Sequence, residues 1–172
     1  MEQYVATKEK YKDCILFYRL GGFYEMFFDD AILASKELEL TLTGKDCGME
    51  ERAPMCGIPF HAADTYINQL VKKGYKVAIG EQVEDPKLAK GLVKREVIRI
   101  VTPGTNLSAE SLEETKNNYL MCISHIGKYF GISVTDLSTG VFKTCQIQTV
   151  EKVVDEINKF QPSEVLYHSG IE

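Results

Sequence analysis

The sequence predicts an α/β (α+β) protein: a mixed β-sheet flanked by helices, followed by a second, smaller α/β unit. Three observations carry this. Over the first hundred residues, helical and extended hydrophobic periods alternate. Residues 104–118 then shift to Ser, Glu, Asn and Thr with few apolar side chains, which marks a linker. Beyond it, three short extended runs with Gly-containing turns precede one amphipathic helix and a last strand. The predicted domains are 1–104 and 118–172, joined by a linker at 105–117.

Residues 2–12 predict a helix, with Tyr4, Val5, Lys8 and Tyr11 on one side. The nearly unbroken apolar run CILFYRL at 14–20 predicts a strand in the middle of a sheet. Gly21 and Gly22 end it in a sharp turn or bulge, since neither carries a Cβ. The segment from Phe23 leads to Asp29 or Asp30, either of which can cap a helix bearing Ala31, Ala34 and Leu38. A short strand at 41–43 and a polar loop at 44–52 follow. Two prolines five apart, Pro54 and Pro59, make 54–61 a rigid extended surface loop. A helix at 62–73 turns Ala63, Tyr66, Ile67, Leu70 and Val71 inward and stops at Gly74. Strands are predicted at 76–83 and 93–102, with a helical turn opening at Asp85-Pro86 between them. In the second unit the pattern is β-β-β-α-β: 119–125, 129–136 and 141–147 as an antiparallel meander, a helix at 150–160 and a strand at 164–167. About 55 residues is thin for a self-sufficient core, so this unit reads as incomplete.

The chain has 172 residues, 44% of them apolar, and no apolar run near 18 residues or signal peptide, so a cytoplasmic protein with no membrane span is expected. Cys14, Cys47, Cys56, Cys122 and Cys145 are odd in number and never spaced C-x-x-C, which predicts reduced thiols. The net charge of −5 excludes a protein that coats nucleic acid by charge alone. It is uneven: 15 Lys and Arg stand against 16 Asp and Glu up to Thr105, and 5 against 9 after it. Basic residues gather between Lys87 and Arg99, a local stripe suited to modest phosphate contact.

The stretch FYRLGGFYEMFF at 17–28 is the one with the clearest chemistry. In an extended segment Phe23 and Glu25, two apart, point the same way. An apolar wedge beside a hydrogen-bonding group equips a protein to push into a base stack from the minor groove. Taken without its surroundings, the same run is a half-buried strand whose aromatics fill a core.

The surroundings favour the wedge. FYRLGGFYEMFFDDA and ERAPMCGIPFHAADTYINQLVKKGYKVAIGEQVEDPKLAKGLVKREVIRIVTPGT resemble, in order and spacing, the mismatch-recognition domain of the MutS family of bacterial DNA mismatch-repair proteins. The remainder is similar to the start of that family's connector domain, which implies a partial RNase H-like fold. The resemblance implies binding of duplex DNA with mispaired or unpaired bases, with Phe23 stacking on the mismatched base and Glu25 hydrogen-bonding to it. It further implies backbone contacts from Lys45 and Arg95, and a segment carrying Met55, Gly57 and Phe60 along the groove. Taken by themselves, Arg95 is equally a solvated charge, and Met55 and Phe60 are core side chains. ATP and Mg²⁺ belong to the full-length proteins of the family; no G-x-x-x-x-G-K-[ST] occurs here, so no cofactor is expected for this stretch and no catalysis by it. The expected partners are mismatched DNA, the rest of a MutS chain, a MutL-type protein and a second protomer. Gly22 and Gly80 depart from the family pattern, which has an acid and a cysteine there.

Two other function classes compete. Asp85-Pro86-Lys87 and Asp136 suggest a metal-dependent nuclease, though two-metal chemistry needs several convergent carboxylates. The acidic second unit suggests an interaction module that does not read DNA. A zinc site at Cys47, Cys56 and His61 lacks the paired ligand spacing of structural zinc.

Overall fold

The computed structural model describes residues 1–48, 51–84, 91, 93–108, 116–168 and 170. The chain forms two compact units, Met1–Thr102 and Pro103–Glu172. The first contains α1 (Glu2–Lys10), β1 (Ile15–Leu20), β2 (Phe23–Phe27), α2 (Phe28–Glu37), β3 (Thr43–Lys45) and β4 (Ala53–Pro59). A single 3-10 turn (Phe60–Ala62), α3 (Ala63–Lys72), β5 (Val77–Gln82) and β6 (Arg95–Val101) complete it.

The six strands form one mixed sheet in the order β3-β4-β2-β1-β5-β6. Among the described strands of this sheet, β1 and β5 pair in parallel and the other pairs are antiparallel. β1 sits inside the sheet because its side chains are apolar on both faces. Ile15 and Phe17 enter a cluster with Ala31, Leu70 and Val71 under α2 and α3, whereas Leu16 and Tyr18 join Tyr4 under α1. Tyr4 meets the rings of Tyr18 and Phe27 edge-on at 5.4 and 4.9 Å. Gly80 lies at a register shift between β5 and β6, and a Cβ there would come within 3.1 Å of the Tyr18 ring.

Two sequence expectations are corrected. Neither Asp29 nor Asp30 caps α2: the cap is Phe27, with extended backbone and no side-chain hydrogen bond, and Phe28 takes a positive φ of 54°. Asp30 turns inward. It accepts the Leu16 amide at 2.9 Å, Lys8 Nζ at 2.8 Å and, more distantly, the Tyr4 hydroxyl at 3.4 Å. Residues 54–61 are not a surface loop, since 53–59 form an interior strand between β2 and β3. The prolines are tolerated because both stand near its ends. Pro54 lies beyond the last β2 partner, Met55, and Pro59 closes the pairing opposite Phe23. The predicted turn at Asp85-Pro86 lies outside the described residues.

The second unit contains β7 (Tyr119–Ile126), β8 (Tyr129–Asp136), β9 (Val141–Ile147), α4 (Val150–Phe160) and β10 (Glu164–Tyr167), with sheet order β10-β7-β8-β9. The first three strands are the expected antiparallel meander, and β10 pairs parallel to β7. α4 packs Val153, Ile157 and Phe160 onto Met121, Ile123, Ile132 and Val134. Thr149 caps α4 by accepting the Lys152 amide. On the opposite face Cys122 is exposed, as are Phe142 and Leu166 at 69% and 47%. All five cysteines are free. Among the described residues no helix is long and apolar enough to cross a membrane.

Replacing Asp30 by Ala leaves the Leu16 amide without its buried acceptor, at a cost on the order of 3 kcal/mol. Thermal denaturation should show the first unit melting on the order of 15 °C lower; a shift of a degree or two would mean that water replaces the carboxylate. Asp136 supplies a pH-dependent counterpart in the second unit. Burial alone would raise its carboxyl, but hydrogen bonds from Ser138, Asn118 and Thr139 hold it below the ordinary 3.8. Its contribution is therefore present above that value and lost as pH falls through the lower folded pKa. The Asp136→Asn variant should melt below the native chain at pH 7, and the gap should close under pH 4.

Candidate nucleic-acid interface

Strand register assembles most of the predicted site on one face of the first sheet. Phe23 lies opposite Pro59 and Leu20, and Glu25 opposite Gly57 and Tyr18. Cross-strand partners share a face, so Phe23 and Glu25 project together, about 7 Å apart along β2. Tyr4 of α1 covers this face where Tyr18 and Phe27 lie. Toward the Gly21-Gly22 turn the face is open and Phe23 is 48% exposed, while Phe27 on the same strand is 2% exposed.

Glu25 is half-buried and holds Lys45 Nζ at 2.5 Å. β4 brings them together, for Gly57 lies beside Glu25 and Ala53, further along the strand, pairs with Lys45. A Cβ on Gly57 would stand 3.6 Å from Glu25 Cγ, in ordinary contact with it. The pair leaves the Glu25 carboxylate with its charge offset by a cation whose side chain is 40% exposed.

Arg95 begins β6 on the same face. Its guanidinium donates to the carbonyls of Arg19 at 2.7 Å and Val93 at 2.8 Å and lies over the Tyr18 ring. Arg95 and Lys45 both line a concavity of about 240 Å³, together with Gln3, Tyr18, Leu20 and Cys47. Met55 is partly buried against Phe27 and Ala53, and Thr43 Oγ1 donates to its carbonyl at 3.1 Å. Phe60 is 45% exposed but does not join Phe23 and Glu25; its ring carries the Arg19 guanidinium 3.8 Å above its centre.

That contact belongs to a cluster which the sequence reading missed. Arg19 of β1 pairs with Glu81 of β5 at 3.3 Å, and the Tyr24 hydroxyl donates to the same carboxylate. Burial, reinforced by Glu81, pushes the Tyr24 hydroxyl up to about 12, so it stays a donor at neutral pH. The only trace in the sequence is opposite charge at two strand ends 62 residues apart, and their meeting depends on the β1–β5 pairing.

The family model for MutS domain I matches residues 1–110, and that for MutS domain II matches 118–172. The chain belongs to the MutS family. It is 64% identical over 177 aligned residues to the DNA mismatch repair protein MutS of Lachnoclostridium phytofermentans, covering 100% of this chain and 19% of that one. The MutS of Acetivibrio thermocellus is 64% identical and that of Clostridioides difficile 58%, each over 96% of this chain and 19% and 17% of theirs. The chain thus spans about a fifth of the MutS proteins it matches.

The geometry weighs on the competing chemistries too. Asp136 is buried, and its oxygens accept the Ser138 amide and hydroxyl and the Asn118 amide, which closes the turn after β8. Asp85 lies outside the described residues. Cys47 packs on the α1 face of the MutS domain I sheet and Cys56 on the α2 face, so these two thiols do not converge with His61.

The exposure of Phe23 makes a direct prediction. Phe23→Ala should change unfolding free energy by less than about 0.5 kcal/mol. Phe17→Ala, in the core, should cost about 3–5 kcal/mol. Chemical denaturation compares them, and a core-sized loss at Phe23 would remove the wedge from consideration.

Proposed function

We propose that the first unit of this chain recognises mispaired or unpaired bases in duplex DNA, in the service of DNA mismatch repair. Phe23 enters the base stack from the minor groove and Glu25 accepts a hydrogen bond from the exposed base edge. The observation that carries this reading is an exposed phenylalanine and a carboxylate side by side on the open end of an otherwise buried sheet, in a chain of the MutS family. Unstacking a base step costs a few kcal/mol, and less where pairing is already poor, so a wedge turns weak pairing into preferential binding. Bending the site by 40–90° costs on the order of 1–6 kcal/mol and is again cheaper at a defect. The reader senses compliance more than sequence.

Glu25 discriminates by charge as well. A carboxylate beside phosphates opposes close approach to intact duplex, and its hydrogen bond to a displaced base edge returns that loss only at a defect. Lys45 sets how strongly the repulsion is felt. Arg95, already held by two carbonyls and the Tyr18 ring, presents a fixed cation to the DNA backbone; Met55 and Gly57 border the groove side of β4. Phe60 stands behind the Gly21-Gly22 turn, where its ring carries Arg19.

In the full-length protein this reader works with an ATPase that uses ATP and Mg²⁺, with a second protomer and with a MutL-type partner, in the bacterial cytoplasm and at the nucleoid. In that assembly the first unit of this chain carries the DNA reading.

Fluorescence anisotropy at low salt tests this with a G·T or one-base-insertion duplex and its matched counterpart. Phe23→Ala should lower the mismatch-to-matched affinity ratio by on the order of tenfold. Glu25→Gln should tighten matched-duplex binding a few-fold, because it removes the repulsion and frees Lys45. Tight binding to both duplexes that ignores Phe23 would refute the wedge and assign binding to the basic residues alone.

A further inference from the structure

The turn that presents Phe23 is made of two glycines, and a Cβ on either would touch nothing within 4 Å. Adjacent glycines are the costliest residues to hold in one conformation. Yet a wedge that must displace stacked bases is useful only if its base does not yield. We infer that Arg19 is the positioning residue that locks this turn and thereby sets mismatch discrimination, an inference that rests on the wedge function proposed above.

The geometry is specific. Arg19 Nε donates to the Gly21 carbonyl at 2.6 Å, which clamps the first half of the turn. The Phe60 amide donates to the Gly22 carbonyl at 3.0 Å, which clamps the second. The two clamps are joined, since the Arg19 guanidinium lies 3.8 Å above the Phe60 ring centre. The far side of the guanidinium reaches Glu81 on β5 at 3.3 Å, and Glu81 also accepts the Tyr24 hydroxyl. Arg19 pairs with Tyr24 across β1 and β2, one residue out of phase with Phe23 and Glu25. The lock therefore stands on the face opposite the wedge, where it can brace the turn without meeting the DNA that Phe23 enters. A planar, forked cation suits three simultaneous roles: donor to a carbonyl, ion-pair partner and stack on a ring. Lysine cannot fill all three.

The test uses the 172-residue chain, its Arg19→Ala and Arg19→Lys variants, and Arg19→Ala combined with Gly22→Ala. Gly22 needs no positive φ and has open space at its Cβ, so alanine there stiffens the turn without adding a contact. Backbone ¹⁵N order parameters of Gly21 and Gly22 should fall from about 0.85 in the native chain to below about 0.6 in Arg19→Ala, with no DNA present. In anisotropy titrations the mismatch-to-matched affinity ratio should fall on the order of five- to tenfold, while matched-duplex affinity stays within about twofold. Arg19→Lys should behave like Arg19→Ala, and adding Gly22→Ala should recover much of both losses. Unchanged order parameters would overturn the inference. So would equal weakening on both duplexes with a salt slope lower by about one, which is the signature of a phosphate contact. A native chain that discriminates beside an Arg19→Ala chain that discriminates equally well sinks this inference alone. A native chain without preference sinks the wedge function and the specificity role of Arg19 together.

Discussion

Asp30 takes the Leu16 amide where β1 has outrun its β2 partner, and the architecture of the first unit follows from that contact. β2 pairs with β1 only from Tyr18 to Leu20; below that the chain turns at Phe28 into α2. The amides of β1 on that side would be orphaned in the core, and an unsatisfied buried donor costs about 1–3 kcal/mol. The Asp30 carboxylate fills the gap and also binds Lys8 and Tyr4 of α1. One side chain thus ties the central strand to helices from both layers.

The open end of the sheet is the counterpart of that closed end. Where Tyr4, Phe27 and Asp30 meet, apolar rings and a buried charge are fully partnered. Toward the Gly21-Gly22 turn the same strands carry an exposed phenylalanine, a carboxylate with a half-exposed cation, and an arginine stacked on Phe60. Side chains are buried at one end of β1 and β2, and exposed polar and aromatic groups are concentrated at the other. A sheet backed by helices is a stiff support for the side chains at its open end, because displacing it means disturbing close-packed side chains on both faces.

The two units also differ in how far they satisfy themselves. The first buries both faces of its sheet. The second buries one, under α4, and leaves Cys122, Phe142 and Leu166 exposed on the other. Among the described residues, the first unit is layered on both sides of its sheet and the second on one.

Local periodicity was enough to place the described elements other than β4. CILFYRL is apolar on both phases except at Arg19, so a central strand was legible; the meander, α4 and β10 were legible from their alternation and Gly turns. Phe23 and Glu25 were legible as a pair because their relation is local, two residues along one strand. Two errors came from applying local rules where non-local partners decided. Asp30 has cap chemistry, yet a buried amide from β1 competed for it successfully. Pro54 and Pro59 argue against a central strand, yet each falls where its missing N–H breaks no ladder bond. The sequence by itself determined the described α-helices, every described strand but β4, the family, and the placing of Phe23 and Glu25 on one side of β2. Only the tertiary structure decided that Lys45 neutralises Glu25, that Phe60 serves Arg19, and that Arg19 meets Glu81, because strand order and register bring together residues that no local period relates.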